Sequence, residues 1–331
     1  VNEFVCRIQA VLSCLLAIGC TIKLTRFISG SYQAGTLAGW LMLTTYSILL
    51  WGRLAEADMA QVAFILSAVT VYMVHRERTS LPVYLFFWFL CGLGAHAKGL
   101  PAFVTPPLLV LLDCVLRKNL KKLFHWKFVL AFLFGLIVYF IPFVLSTVTS
   151  ADYASNGLIL AFRENLMRVF NPWDHKDEPF YCYFLFVPRL LIPWTPFFIL
   201  ALVDFFVSWK KRKDISKNMF WLLFSILGIF LLFSISKSRR SYYILPIVPF
   251  CIMLTAIWLT GTTQAETVCG KISNALIAFA DFVTPMICLF FIMAPFTVRE
   301  LLDAALNESG AMDFFPSSAV YDDMVRAIIP F

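Results

Sequence analysis

The sequence predicts an all-α polytopic transmembrane helical bundle, and three observations carry that expectation. Hydrophobic residues make up 60% of the 331 positions and charged residues only 14%, against about half apolar and a quarter charged in a soluble domain. Apolar runs near the roughly 20-residue length that crosses a bilayer recur along the chain. The polar–apolar alternation of barrel strands is lacking, and helices are the other structure that satisfies its own backbone in lipid.

The hydropathy pattern divides the chain into about ten spans, with approximate limits 4–22, 34–51, 58–74, 81–97, 100–116, 127–146, 181–207, 219–236, 242–260 and 274–296. Residues 1–296 then form a transmembrane domain and 297–331 an outer tail. The 35 Phe and 9 Trp suit lipid-facing and interfacial positions. The net charge of +7 calls for no nucleic acid, because much of it lies in short loops. The nine cysteines are scattered, without metal-ligand spacing, and read as small buried hydrophobes. The chain opens on Val1 inside what reads as running sequence, so a preceding segment is expected.

Orientation follows from the basic residues of alternate loops. One set holds Lys23 and Arg26; Arg76 and Arg78; Arg117, Lys118, Lys121 and Lys122; Lys210 to Lys213. These loops are expected in the cytoplasm. The other set holds most loop carboxylates, including Glu56, Asp58, Asp152, Glu164, Asp174, Asp177 and Glu178, and faces outward. On that outer side also fall Arg53, His96, Lys98 and the run Lys237–Tyr243. The long outer loop from about residue 146 to 181 has apolar residues at helical spacing over Ala161–Phe170, which suits an interfacial helix.

Each polar residue has a plain reading beside a functional one. Asp58 begins a span, where the helix dipole alone would favour it by about 0.3–1 kcal/mol. Lys98 lies in a short hairpin, where a lysine can snorkel to the interface. Lys237, Arg239 and Arg240 oppose the positive-inside bias, and either loop carboxylates or an anionic substrate would explain them. His175 could be a base, a ligand or a solvated residue. An acidic and basic cluster on one face of a helical frame suits chemistry on a phosphate-bearing lipid: a carboxylate takes a proton from an acceptor hydroxyl, and cations stabilise the departing phosphate.

Five stretches add a resemblance. Asn2-Glu3-Phe4-Val5-Cys6-Arg7, Arg53-Leu54-Ala55-Glu56-Ala57-Asp58-Met59 and Ala97-Lys98-Gly99 are the first three. Glu164-Asn165-Leu166-Met167-Arg168-Val169-Phe170 follows, with His175, Pro179 and Pro193-Trp194. Lys237 with Tyr243-Ile244-Leu245-Pro246-Ile247-Val248-Pro249 completes the series. In order and spacing these resemble motifs of the ArnT-like polyprenyl-phosphate-sugar glycosyltransferases, relatives of the protein mannosyltransferases with the GT-C fold. The resemblance covers about residues 2–250.

The resemblance implies an integral membrane glycosyltransferase of the cell inner membrane, with its site facing the periplasm. Its donor would be a sugar on a polyprenyl phosphate, such as 4-amino-4-deoxy-L-arabinose. The acceptor would be lipid A or another lipid or protein, and membrane lipids would surround it. It implies Asp58 as the second acidic residue of the catalytic site, and Lys98, Arg168 and Tyr243 as grips on the donor phosphate. Arg53, Glu164, His175 and Lys237 would support the surrounding loops. It implies no particular cofactor, and a divalent metal would be compatible with the chemistry. The family has one more span upstream and an acidic outer loop, so a truncated, inactive fragment is one alternative. A transporter or flippase of an anionic lipid is another; it would place charges near the bilayer midplane and show repeated halves.

Overall fold

The computed structural model describes residues 3–149, 157–163, 179, 181–211, 215–236, 239–262 and 269–278. Every regular element among them is helical, as expected. The chain divides into a unit of Val1–Ala265 and a second of Glu266–Phe331. In the second unit the described residues form a helix over 269–278. The remaining description concerns the first.

Helix α1 runs over Glu3–Ser29, seven residues beyond the expected end at 22, so Lys23 and Arg26 lie on the helix and not in a loop. Along it the Thr21, Thr25 and Ser29 hydroxyls donate back to the carbonyls of Ala17, Thr21 and Thr25, which satisfies them within their own helix. Gly30, at φ 70, closes it and donates its N–H to the Arg26 carbonyl. The expected span 34–51 is two helices, α2 (Tyr32–Thr44) and α3 (Tyr46–Trp51), broken at Thr45. There the Thr44 and Thr45 hydroxyls bond back to Trp40 and Leu41, and Thr45 turns to an extended backbone.

Helix α4 (Asp58–Val74) is the centre of the bundle. It packs on α1, on α5 (Leu81–Lys98) and on α6 (Leu100–Leu116), and Met59, Val62, Ile65, Leu66 and Val69 are wholly buried. Such all-round burial explains its weak amphipathic pattern. A single residue, Gly99, joins α5 to α6 at φ 86 and ψ −171, a backbone state nearly confined to glycine. Helix α7 (Trp126–Thr149) flanks α5, with Leu133, Ile137, Phe140 and Ile141 on its exposed side. Exposed apolar surface of this kind faces lipid. Helix α8 (Gly157–Ala161) follows; most of the expected interfacial helix, residues 164–170, lies outside the described residues.

The expected span 181–207 is also broken. Helices α9 (Cys182–Leu190) and α10 (Thr195–Lys210) meet at 114°. Pro193 lacks the N–H a continuous helix would use and disfavours helical geometry at Ile192, while Pro196 suits the first turn of the new helix. The bend docks on the α2–α3 break: the Tyr46 N–H donates to Ile192 O at 2.8 Å, and Trp194 Nε1 donates to Thr44 Oγ1 at 3.1 Å. Helix α11 (Lys217–Ile235) precedes a 3-10 turn over Leu245–Ile247 and the buried helix α12 (Val248–Thr262). Residues 242–247 of the expected last span of this unit are therefore outside the α-helix, at the Pro246 and Pro249 pair.

Among the described residues, α1, α5, α7 and α11 are long and apolar enough to cross a membrane, and the bent α9–α10 pair would be a fifth span. Helices α4, α6 and the Leu245–Gly261 segment are apolar but shorter. The chain is a multi-pass membrane protein.

Candidate active site

The antiparallel run of α4, α5 and α6 brings the start of α4 beside the end of α5. Asp58, the first residue of α4, and Lys98, the last of α5, form an ion pair through Oδ1 and Nζ. Residues 40 positions apart thus meet at one end of the bundle. The Asp58 side chain is only 2% exposed and that of Lys98 24%. Ala57, at the N-cap, offers no side-chain cap, so the dipole of α4 and the Lys98 ammonium carry the charge balance of Asp58. Glu56 lies close enough to repel it. The carboxylate's other oxygen, Oδ2, is buried without a hydrogen-bond donor among the described residues. Ser47, Thr70 and Ser225 of the core hold such atoms too, so it is the place beside Lys98 that singles out Oδ2.

Aromatic rings enclose Lys98. Its Nζ lies 4.8 Å from the centroid of the Tyr242 ring and 5.6 Å from that of Tyr243. The two tyrosines meet edge to face at 5.2 Å, and Trp51 at the end of α3 packs on Tyr242 at 5.7 Å. Arg240 Nη1 donates to the Tyr242 hydroxyl at 2.7 Å. Arg239 Nη2 donates to the Ser234 carbonyl in the last turn of α11 at 3.1 Å, which ties the loop to that helix end. Cation–π contact of this sort contributes about 0.5–2 kcal/mol, more as water is excluded. His96, one turn back from Gly99, donates from Nε2 to Val138 O at 3.0 Å and stacks on Tyr139, fastening the end of α5 to α7.

The structure therefore brings together Asp58, Lys98 and Tyr243 of the residues singled out from sequence. Arg53 is exposed in the turn before α4 and, among the described residues, makes no side-chain hydrogen bond or ion pair. Glu164, Arg168, His175 and Lys237 lie outside the described residues. Trp51 was not singled out from sequence, and for Arg240 and Tyr242 the sequence indicates the side but no contact with the pair. The signal for the last two was present, a basic and aromatic run directly before a span. Among the described residues no group of three or more His, Cys, Asp or Glu is placed to hold a metal ion.

No protein-family model matches the chain. It is 26% identical over 250 residues to an uncharacterized protein of Aquifex aeolicus, which covers 73% of this chain and 46% of that one. It is 24% identical over 272 residues to the undecaprenyl phosphate-alpha-4-amino-4-deoxy-L-arabinose arabinosyl transferase of Pectobacterium carotovorum, covering 80% and 47%. The corresponding transferase of Edwardsiella ictaluri is 25% identical over 280 residues, covering 83% and 48%. The crystal structure of ArnT from Cupriavidus metallidurans bound to undecaprenyl phosphate superposes with a TM-score of 0.67 at 18% identity, over 89% of this chain and 51% of that one. Its apo state gives 0.60 at 18% identity. The chain spans about half the length of the curated relatives it matches. This chain is thus similar in sequence to the aminoarabinose arabinosyl transferases and shares the fold of about half of the ArnT chain.

Proposed function

We propose that this chain carries a membrane glycosyltransferase site that moves a sugar from a polyprenyl phosphate to an acceptor hydroxyl. The observation that carries the reading is the buried Asp58–Lys98 pair, roofed by Tyr242 and Tyr243, at the end of a helical bundle. The likeness to arabinosyl transferases supports the substrate class. In the reaction the acceptor oxygen attacks the anomeric carbon of the donor sugar and gives its proton to Asp58. The bond from that carbon to the phosphate oxygen breaks, and polyprenyl phosphate leaves with the bonding electrons. Lys98 faces the phosphate, whose negative charge grows by one as it departs. Tyr243 and Arg168 of the matched motifs would complete the grip, and Lys237 would support the loop before Tyr243. Glu164, His175 and Arg53 would order the loops above it.

The same reading sets the site on the periplasmic side of the inner membrane, since the loops at the opposite end hold the larger basic runs. The sugar would be 4-amino-4-deoxy-L-arabinose and the acceptor a lipid A-type glycolipid. A divalent ion would add a second route to phosphate neutralisation; among the described residues no group of three or more His, Cys, Asp or Glu is placed to hold one. Transfer from undecaprenyl-phosphate-linked sugar, measured by mass spectrometry of the acceptor, tests the assignment. Asp58→Asn and Lys98→Ala should abolish product while the protein still inserts; near-normal transfer by both variants would overturn it.

A further inference from the structure

One side chain in this cluster touches two cations. The ring face of Tyr242 takes the Lys98 ammonium at 4.8 Å. Its hydroxyl accepts from Arg240 Nη1 at 2.7 Å, and the Arg240 guanidinium carbon lies 5.7 Å from the same ring. Trp51 supports Tyr242 at 5.7 Å, so the ring is packed by a helix end and is not a loose loop residue. Lys98 reaches the ring from α5 and Arg240 from the segment before α12, so neither chain segment alone sets their spacing. Asp58 already draws on the Lys98 ammonium, so a phosphate received beside that pair gains from a second cation. The polyprenyl phosphate leaving group is such an anion, and a guanidinium offers it a two-pronged hydrogen-bonding edge that an ammonium lacks.

We propose that Tyr242 is a positioning residue that holds Arg240 beside Lys98, making Arg240 a second cation for the donor phosphate. The inference rests on the glycosyltransferase reading and adds to it a residue outside the matched motifs. Arg240 grips the phosphate oxygens, and Tyr242 acts through it and through Lys98. The ring and the hydroxyl then have separable effects. Removing the hydroxyl should loosen Arg240 alone; removing the ring should loosen Lys98 as well.

The test is binding of undecaprenyl phosphate, with uncharged undecaprenol as the control, to the detergent-purified chain by native mass spectrometry. Arg240→Ala should weaken undecaprenyl phosphate by about tenfold, the range of one charge-assisted bond, and leave undecaprenol unchanged. Arg240→Lys should recover part of the loss. Tyr242→Phe should cost about threefold, and the double variant Tyr242→Phe/Arg240→Ala should bind no worse than Arg240→Ala, because the hydroxyl works only through Arg240. Tyr242→Leu should cost more than Tyr242→Phe. Additive losses in the double variant, or an equal loss for undecaprenol, would overturn the proposal. If Lys98→Ala weakens binding while Arg240→Ala and Tyr242→Phe do not, the inference fails and the glycosyltransferase reading stands. If the unaltered chain does not prefer the phosphate to undecaprenol, both fail.

Discussion

The two ends of the α4 bundle each bury an aspartate, and they treat it differently. At the end of α6, Asp113 is closed in by donors. Arg117 Nε donates to Oδ1 at 2.8 Å, the Tyr72 hydroxyl donates to Oδ2 at 3.2 Å, and Arg76 Nη1 lies 3.6 Å from Oδ1. Asn218 of α11 accepts from Arg76 at 3.1 Å and from Arg117 at 2.7 Å, and donates to Ile28 O of α1 at 3.3 Å. Lys122 donates to the Arg76 carbonyl and lies over the Tyr72 ring at 4.7 Å. Four helices are thus fastened by one network in which both carboxylate oxygens have donors. At the other end Asp58 has a single cation, and its second oxygen has no donor among the described residues. A satisfied network rigidifies, whereas an incomplete one leaves capacity for a proton or a ligand. The contrast separates a structural clamp from a site poised for chemistry within the same bundle.

Substitutions can break or sharpen this contrast. The largest effect expected is on sugar transfer. Asp58→Asn should lower the rate by about a hundred- to ten-thousand-fold, the usual contribution of a positioned base, with little change in detergent melting. Asp113→Ala should do the reverse. Leaving Arg76 and Arg117 without their carboxylate should lower stability by about 3–5 kcal/mol in a melting or denaturant series. Equal destabilisation by the two changes would erase the distinction. Tyr72→Phe tests one donor of the clamp and should cost about 1.5–3 kcal/mol, since its bond is to a charged group. Gly99→Ala should cost about 1–3 kcal/mol through backbone strain, and should also lower transfer by shifting Lys98. The smallest expected effect is Trp194→Phe, about 0.5–1.5 kcal/mol for one hydrogen bond to Thr44.

The fold class and the meeting of Asp58 with Lys98 were legible in the sequence, for a physical reason. Charges are rare in a chain this apolar, and alternating spans force those of like-sided turns together. Hydropathy counts composition, however, and does not see which way a side chain points. Arg76, Arg117 and Lys122 were read only as an orientation signal, although they surround Asp113 inside the bundle. Burial also holds the Lys122 ammonium below its usual pKa, against the attraction of nearby anionic groups. The Thr45 break and the 114° bend escaped the same way, because both apolar runs continue through them. Tyr242 stayed hidden because its part depends on a lysine 144 positions earlier, a relation that only folding reveals.

The two interruptions answer each other through the Tyr46–Ile192 and Trp194–Thr44 bonds. Straightening either helix would strand an amide or an indole of its neighbour, and a polar group left without its partner costs about 1–3 kcal/mol where water does not reach it. Thr44–Tyr46 and Ile192–Trp194 therefore form one joint built from two distant halves, and an engineer who wishes to swap one must carry the other with it.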